Sequence, residues 1–570
     1  MNNRFQSVLG CAVALMLPLV AVAADDQPAA SDTTSRSITT TSSPSDPEIQ
    51  QLKKMLLDQQ RQIDELRTQL AAQRKSAQPE TPELGAPPAG PHAAIGEVAS
   101  IRPVIPLVPK PLTSTTMPAA AAQPAPAEVS VPPHLRIGNA YITPVGFIDM
   151  TSVTRSTNHG SGIGTNFGGI PYDHTQAASL TESRLSIQNS RIGARIDTGF
   201  HGYNVLGYWE SDFLGQLGNP PNGALAVSSN PYVFRLRLYW LDVTKGGWEV
   251  LAGQSWSLLT PNRKGVSPLP GDIFFSQDID VNYQAGLVWG RIPGFRLGYH
   301  FGSKAAVMLA LENSEPYVGG GNGSSAITAP TAIAGILGSQ VNNGTSVITA
   351  PALHPDIILK AAFDPSSKFH IEIAGVEITN KISNPASTPP FQTYTKAGGA
   401  ASVNLNFELF KGFRLLTNNY WGAGGGRYIF GQAPDFIIRS NGDLSLVRAG
   451  STVSGFEATI GKTLFYGYYG GIYIAKNLAL DANGKSLIGY GPIASDGQNR
   501  AIQEITFGTN TTLAKDAKWG ALNLMFQYSY LQRNPWLAAP GAPSNASLSM
   551  GFFNLRYTLP GAPPAHMTFQ

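Results

Sequence analysis

Residues Ser183–Asp197 read SRLSIQNSRIGARID, a segment in which polar and apolar side chains alternate as they do in a β-strand. Arg184 has an even number, whereas Arg191 and Arg195 have odd numbers, and the apolar residues change phase at the same place. An additional residue at Asn189–Ser190 would restore the alternation. We therefore predict a β-bulge there, which brings all three arginines to one face.

The chain from Tyr141 onward repeats this alternating pattern. Short connections rich in turn formers, such as KGG and FKG, alternate with long linkers, provided that 294–313 is one long strand. Sixteen strands are predicted, at 140–155, 182–198, 202–213, 232–244, 247–258, 281–291, 294–313, 356–364, 368–380, 397–409, 412–422, 452–463, 467–477, 501–514, 518–533 and 547–558. This pattern predicts an all-β fold, a 16-stranded antiparallel transmembrane β-barrel spanning 134–560.

The two faces of each predicted strand differ in polarity. In 234–240, Tyr239 and two arginines oppose an apolar face that comprises Phe234, Leu236, Leu238 and Trp240. A membrane barrel of this size turns its apolar face to lipid and its polar face to an aqueous channel. The side chains predicted to line the pore and bind substrate are Arg184, Arg191, Arg195, Arg235, Arg237, Arg296, Arg414 and Arg556. Arginine stays charged and binds carboxylate or phosphate through two parallel hydrogen bonds, so an anion preference is expected.

The third long linker, TPNRKGVSPLPGDIFFSQDID, is acidic toward its end. If it folds inward, Asp272, Asp278 and Asp280 would face the basic wall and form a constriction with a transverse field. The alternative is that the arginines only balance acidic side chains of the wall, namely Glu210, Asp212, Glu372 and Glu457.

The first 23 residues are predicted to be a signal peptide, because an apolar run ends in the A-x-A pattern Ala21–Ala23. The single cysteine, Cys11, lies within this run, and the sequence VLGC around it leaves a lipoprotein signal as an alternative. A net charge of +3 is too balanced to indicate nucleic-acid binding.

Residues 24–140 contain no Phe, Tyr or Trp, so this part cannot form an ordinary core. Within it, 46–75 shows heptad spacing and predicts a helical coiled coil that self-associates, although the heptads do not distinguish a dimer from a trimer. The predicted core positions are Ile49, Leu52, Leu56, Ile63, Leu66 and Leu70. Residues 76–133 form a Pro/Ala-rich linker, and 561–570 form a C-terminal tail.

The order of these segments, together with the stretches ESRLSIQNSRIGARIDTGFHGYNVLGYWESDFLG, LAGQSWS and NYQAGLVWGR, resembles the DcaP-like outer-membrane porins. The phosphate-selective porins are similar more loosely. The resemblance implies a homotrimer of sixteen-stranded pores with a periplasmic coiled coil, passing small anions and favouring dicarboxylates. The chain departs from the usual pattern at its end, where the last strand stops near Tyr557 and a tail follows.

These features predict a porin in the outer membrane of a Gram-negative-type bacterium, a channel for passive diffusion of small hydrophilic solutes. Its expected partners are outer-membrane lipid, further copies of itself and small anions such as dicarboxylates, with no nucleic acid. One alternative is a tether that binds peptidoglycan through the coiled coil; another is a sugar channel lined by Tyr208 and Tyr239. An enzyme is not expected, because G-x-S-x-G and H-E-x-x-H are absent from the sequence, and no cofactor or metal is predicted. His300 and His370 are expected to be polar residues of the lumen.

Overall fold

The computed structural model describes residues 134–560, except 159–160, 216–231, 270, 272, 279–282, 345–349 and 385–386. The predicted signal peptide, coiled coil, linker and C-terminal tail lie outside the described residues. Among the helices of the described part, none is long and apolar enough to span a membrane.

Sixteen antiparallel strands form one sheet in the described part of the chain, and the pairing of the last strand with the first closes it into a barrel. The strands are β1 (Ala140–Arg155), β2 (Glu182–Ser186 and Arg191–Phe200), β3 (Tyr203–Gly215), β4 (Val233–Lys245), β5 (Trp248–Trp256), β6 (Arg291–Phe301), β7 (Ala305–Glu312), β8 (Asp356–Ser366), β9 (Phe369–Ser383), β10 (Thr393–Phe410), β11 (Phe413–Ala423), β12 (Arg448–Ile460), β13 (Thr463–Ile474), β14 (Asn499–Asp516), β15 (Gly520–Pro535) and β16 (Ala546–Thr558). A short strand, Leu135–Ile137, folds back onto the start of β1. The predicted all-β barrel is confirmed.

The connections are short at one end of the barrel and mostly long at the other, as predicted. Five long loops matter below: L1 (156–181), L3 (257–290), L4 (313–355), L6 (424–447) and L7 (475–498). Short 3-10 helices occur in L1, L4 and L6.

The predicted number of strands is right because two errors compensate. Residues 281–291 were predicted to be a strand, but the described residues from Tyr283 to Gly290 belong to L3 and lie in the interior. Conversely, 294–313 is not one strand, because a turn at Gly302, which has φ +64°, separates β6 from β7. The apolar run AGLVW has the composition of a strand, but its side chains pack against other interior residues rather than lipid.

The β-bulge predicted in β2 is confirmed. Thr151 of β1 pairs with Ser186, whereas Phe147 pairs with Arg191, so β2 holds one more residue than β1 over this stretch. Gly146 lies beside the bulge with φ +131°, and a Cβ there would lie 2.3 Å from the carbonyl oxygen of Arg191. The residues of β1 that pair with the three arginines all lie on one face of that strand. The bulge therefore places the three arginines on one face as well.

A second bulge, in β4, was not predicted. Glu210 of β3 pairs with Leu238, but the next residue, Ser211, pairs with Leu236. The extra residue changes the phase, so Leu238 and Trp240 face the interior, whereas Tyr239 is 64% exposed on the outside. The predicted grouping of Leu238 and Trp240 with Phe234 on one face is therefore wrong, and so is an interior position for Tyr239.

The outside of the barrel is apolar, as predicted. Leu309 of β7 and Leu359 of β8 are among many large apolar side chains that the outer face exposes. The residues that alternate with them, such as Lys360, are buried inside. This arrangement inverts that of a soluble barrel, in which apolar side chains fill the interior.

Arg427 of L6 joins two loops to the wall. Its Nη1 donates to Asp435 at 2.6 Å, and its Nη2 donates to Asp356 at the start of β8. Asp435 also accepts the backbone N–H of Tyr317 in L4 at 3.1 Å. Both carboxylates are fully buried, so each depends on Arg427 for charge balance.

Replacing Arg427 with leucine should free L4 and L6 from the wall, because it leaves two buried carboxylates without their cation, at a cost of about 3 kcal/mol. Limited digestion with proteinase K should then cut these loops while the barrel keeps its heat-modifiable mobility in gels. The matched control is Arg439→Leu in L6, whose exposed pair with Asp443 at 3.9 Å contributes about 0–1 kcal/mol. Equal protection of the loops in both variants would contradict this role.

Candidate functional site

The candidate site is the barrel interior, which L3 divides. L3 leaves β5 after Trp256, crosses to strands on the other side of the barrel and returns to β6 at Arg291. Its contacts with β8–β10 and β12–β15 fix its path. The predicted inward fold of the third long loop is therefore what the structure shows.

The first half of L3 is held by charged and amide groups. The backbone and side-chain N–H groups of Asn262 donate to Glu372 of β9 at 3.1 and 2.9 Å. Arg263 donates both terminal nitrogens to Glu457 of β12, at 2.7 and 2.5 Å. Lys360 of β8 donates to the carbonyl oxygen of Thr260 at 2.8 Å. Arg263 and Lys360 are interior cations that the sequence analysis missed.

The second half of L3 is held through Asp278. Its carboxylate accepts hydrogen bonds from Gln527 at 2.8 Å and from Ser529 at 2.9 Å, both on β15. Burial raises the pKa of this carboxyl to about 6. Asp278 is fully buried against β15 and anchors L3 there. It is therefore not exposed in a constriction opposite the basic wall, which was the expectation for it. Asp272 and Asp280 lie outside the described residues.

An aromatic stack joins L3 to L6. The ring centroids of Tyr283 and Trp289 are 4.1 Å apart, and those of Trp289 and Phe430 are 5.0 Å apart. Trp256 meets both L3 rings edge-on. Because Tyr283 and Trp289 are buried, the stack is a packing element rather than an open aromatic track.

The interior arginines of β2–β4 are paired with acidic residues of the same wall. Arg237 is fully buried and donates to Glu210 at 2.7 Å and to Asp212 at 2.6 Å. Arg235 donates to Asp212 through two hydrogen bonds of 2.9 and 2.6 Å, and Arg191 lies 3.5 Å from Glu210. The alternative of charge balance therefore describes this wall.

Four more predicted arginines have partners nearby. These pairs are Arg184 with Glu182 at 2.9 Å, Arg195 with Asp197 at 2.7 Å, Arg556 with Asp149 at 2.7 Å, and Arg414 with Asn406 at 2.9 Å. Arg184 keeps 46% of its side chain exposed at the long-loop end, whereas Arg195 and Arg556 are buried. The structure thus spreads these arginines along the wall instead of gathering them at one constriction.

Arg296 of β6 differs from the other predicted arginines. Its Nη2 donates to the carbonyl oxygen of Trp256 at 3.1 Å. Its Nε and Nη1 are buried and have no hydrogen-bond partner among the described residues. The guanidinium therefore stays charged and keeps donors that no described residue uses.

Arg296 lines a cavity of about 770 Å³ between L3 and the wall. The cavity reaches the short-turn end of the barrel, where Gly246 and Gly302 border it. Apolar side chains, including Trp248 and Trp256, make up much of its surface. Its charged lining comprises Arg195, Arg263, Lys264 and Arg296 together with Asp197, Asp242, Glu249 and Asp364.

Two interior histidines lie beside carboxylates. His300 shares a hydrogen bond of 2.7 Å with Glu249, and His370 shares one of 2.9 Å with Asp364. Among the described residues, no group of three or more His, Cys, Asp or Glu side chains is arranged so that it could hold a metal ion.

No protein-family model matches the chain, and no curated protein is similar to it in sequence. Among solved structures, the outer membrane channel DcaP of Acinetobacter baumannii matches with a TM-score of 0.51 at 13% identity, covering 74% of this chain and 97% of that one. The barrel has the fold of the DcaP channel. The resemblance seen in the sequence is therefore confirmed at the level of the fold.

Two further structures match less closely. The anion-selective porin from Comamonas acidovorans has a TM-score of 0.42 at 11% identity, covering 74% of this chain and 99% of that one. OprB of Pseudomonas putida has a TM-score of 0.38 at 11% identity, covering 73% and 94%.

The raised pKa of Asp278 predicts how the stability of the barrel depends on pH. The folded state holds this proton more tightly than the unfolded state, whose carboxyl has the ordinary pKa of 3.8. Stability from this group is therefore present below pH 3.8 and is lost as pH rises through about 6, a change of about 3 kcal/mol.

Asp278→Asn should keep the acceptor for Gln527 and remove this loss. Thermal unfolding in detergent at pH 4 and pH 7 measures it: the variant should lose less stability between the two values than the unchanged protein. Asp443→Asn, at an exposed position of L6, is the control and should behave like the unchanged protein. The same pH dependence in Asp278→Asn would show that this carboxyl does not contribute.

Proposed function

We propose that the protein is an outer-membrane porin through which small hydrophilic solutes diffuse passively, with a preference for anions such as dicarboxylates. The observation that carries the anion preference is Arg296, a permanently charged residue that lines the cavity and whose Nε and Nη1 have no hydrogen-bond partner among the described residues. The outward apolar band and the polar interior of the closed barrel support the membrane location.

The positions of the interior arginines support a path along which an anionic solute meets more than one arginine. Arg184 and Arg235 keep 46% and 34% of their side chains exposed and lie near the starts of β2 and β4, at the long-loop end. Arg296 lies deeper and borders the cavity that reaches the short-turn end. Weak sites in series favour a charged solute without trapping it.

Assembly and export complete the proposal. The heptads of 46–75 support self-association through a periplasmic coiled coil, and the apolar run before Ala23 supports export through a signal peptide. The resemblance to the DcaP-like porins supports a homotrimer. A sugar channel is less well supported, because Tyr208 is buried and Tyr239 faces outward.

Arg296→Met should weaken the anion preference, because it removes the vacant guanidinium donors from the cavity. In planar bilayers with a KCl gradient, the reversal potential should move toward that of a non-selective pore, and block by added succinate should require about ten-fold more succinate. Lys368→Met, which removes a positive charge from an exposed short turn, is the matched control and should leave both quantities unchanged.

Selectivity and succinate block that match those of the unchanged protein, in a variant with normal conductance, would contradict an anion site at Arg296. A folded barrel without any conductance would contradict the porin function itself.

A further inference from the structure

The outer face of β11 and β12 departs from the apolar band. Thr417 and Asn419 of β11 lie on the outward face between Leu415 and Trp421, and they alternate with buried inward residues such as Asn418. In β12, the outward residues at the same level are Thr452 and Ser454, which pair with Asn419 and Thr417. Four polar side chains thus stand where lipid chains would lie.

These four side chains form a hydrogen-bonded ring. Asn419 donates to Thr417 at 2.9 Å, and Thr452 donates to Asn419 at 2.9 Å. The hydroxyls of Thr417 and Ser454 are 2.7 Å apart, and those of Thr452 and Ser454 are 3.4 Å apart. A polar group that faces hydrocarbon is destabilising unless it is hydrogen-bonded. The ring satisfies its members only partly, because the amide of Asn419 has two N–H donors.

Glycines flatten the wall next to this ring. A Cβ on Gly450 would lie 2.1 Å from the indole of Trp421, so the indole lies across the glycine. Phe456 covers Gly467 in the same way, at 2.8 Å. A shallow cavity of about 630 Å³ results on the outer face of β10–β14. Small residues of this kind allow close approach of another protein surface in a membrane.

The outer face of β7 and β8 lacks these features. The outward residues of β7 and β8 are large and aliphatic, and each is at least 40% exposed. They are Val307, Leu309, Leu311, Ile357 and Leu359. The polar and glycine-rich face therefore differs from the apolar band of β7 and β8, which is the composition that lipid contact favours.

We propose that this face of β10–β14 is the surface through which one copy of the chain contacts another within the membrane. The proposal rests on the membrane location given in the proposed function. A second copy is the occupant that the sequence supplies, because the heptads of 46–75 predict self-association of the same polypeptide. Hydroxyl and amide groups both donate and accept, so identical chains can pair through them without complementary charges.

Photo-cross-linking tests the contact. The photoreactive residue p-benzoylphenylalanine is placed at Asn419 in one variant and at Leu309 of β7 in the control, and intact cells are irradiated. An adduct of twice the chain mass, identified by mass spectrometry as two copies of this chain, is expected for the probe at 419 and not at 309. The control should yield lipid adducts.

Each other outcome counts against the proposal. Lipid adducts alone at both positions would overturn the contact face and leave the membrane location standing. An adduct of position 419 with a different protein would also overturn it. Absence of lipid adducts at 309 would instead overturn the membrane location on which the proposed function rests.

A second measurement does not depend on the probe. The double variant Asn419→Leu and Thr452→Val gives the face the character of the β7–β8 wall. Its oligomer should dissociate at a lower temperature in semi-native gels, while the single barrel keeps its heat-modifiable mobility. The control pair, Leu309→Val and Leu359→Val, should leave dissociation unchanged. Unchanged dissociation of the first variant would contradict the contact face.

Discussion

The pairing of β1 with β16 is the constraint on which the rest of the structure depends. A strand edge that faces lipid would leave its backbone N–H and C=O groups without partners, so only a closed sheet is stable in that setting. Closure fixes which face of every strand is outside. Apolar side chains then occupy the outer face, and the charged residues of the chain must find their partners inside.

The interior shows how those charges are accommodated. Arg237 lies between Glu210 and Asp212, and Arg263 binds Glu457 across the lumen, so most interior charges are neutralised within hydrogen-bond distance. These pairs also fix the path of L3, since Arg263 belongs to that loop. Arg296 departs from this pattern, because two of its donors have no partner among the described residues.

The two bulges show what a local pattern can reveal. The bulge in β2 was visible in the sequence because both the arginines and the isoleucines change parity around Asn189. The bulge in β4 was not visible, because Leu238 and Trp240 are apolar and fit either face. Inside this barrel those two side chains are buried, so hydrophobicity alone did not indicate the direction in which they point.

The sequence by itself determined most of the alternating strands and the separation of short from long connections, because the period of two and the turn residues are local properties. It did not determine that Tyr283–Gly290 lies inside the barrel, nor which arginines are neutralised. Those outcomes depend on contacts between distant segments, such as Arg263 with Glu457, 194 positions apart. Only the closed barrel brings such residues together, so the tertiary structure decided them.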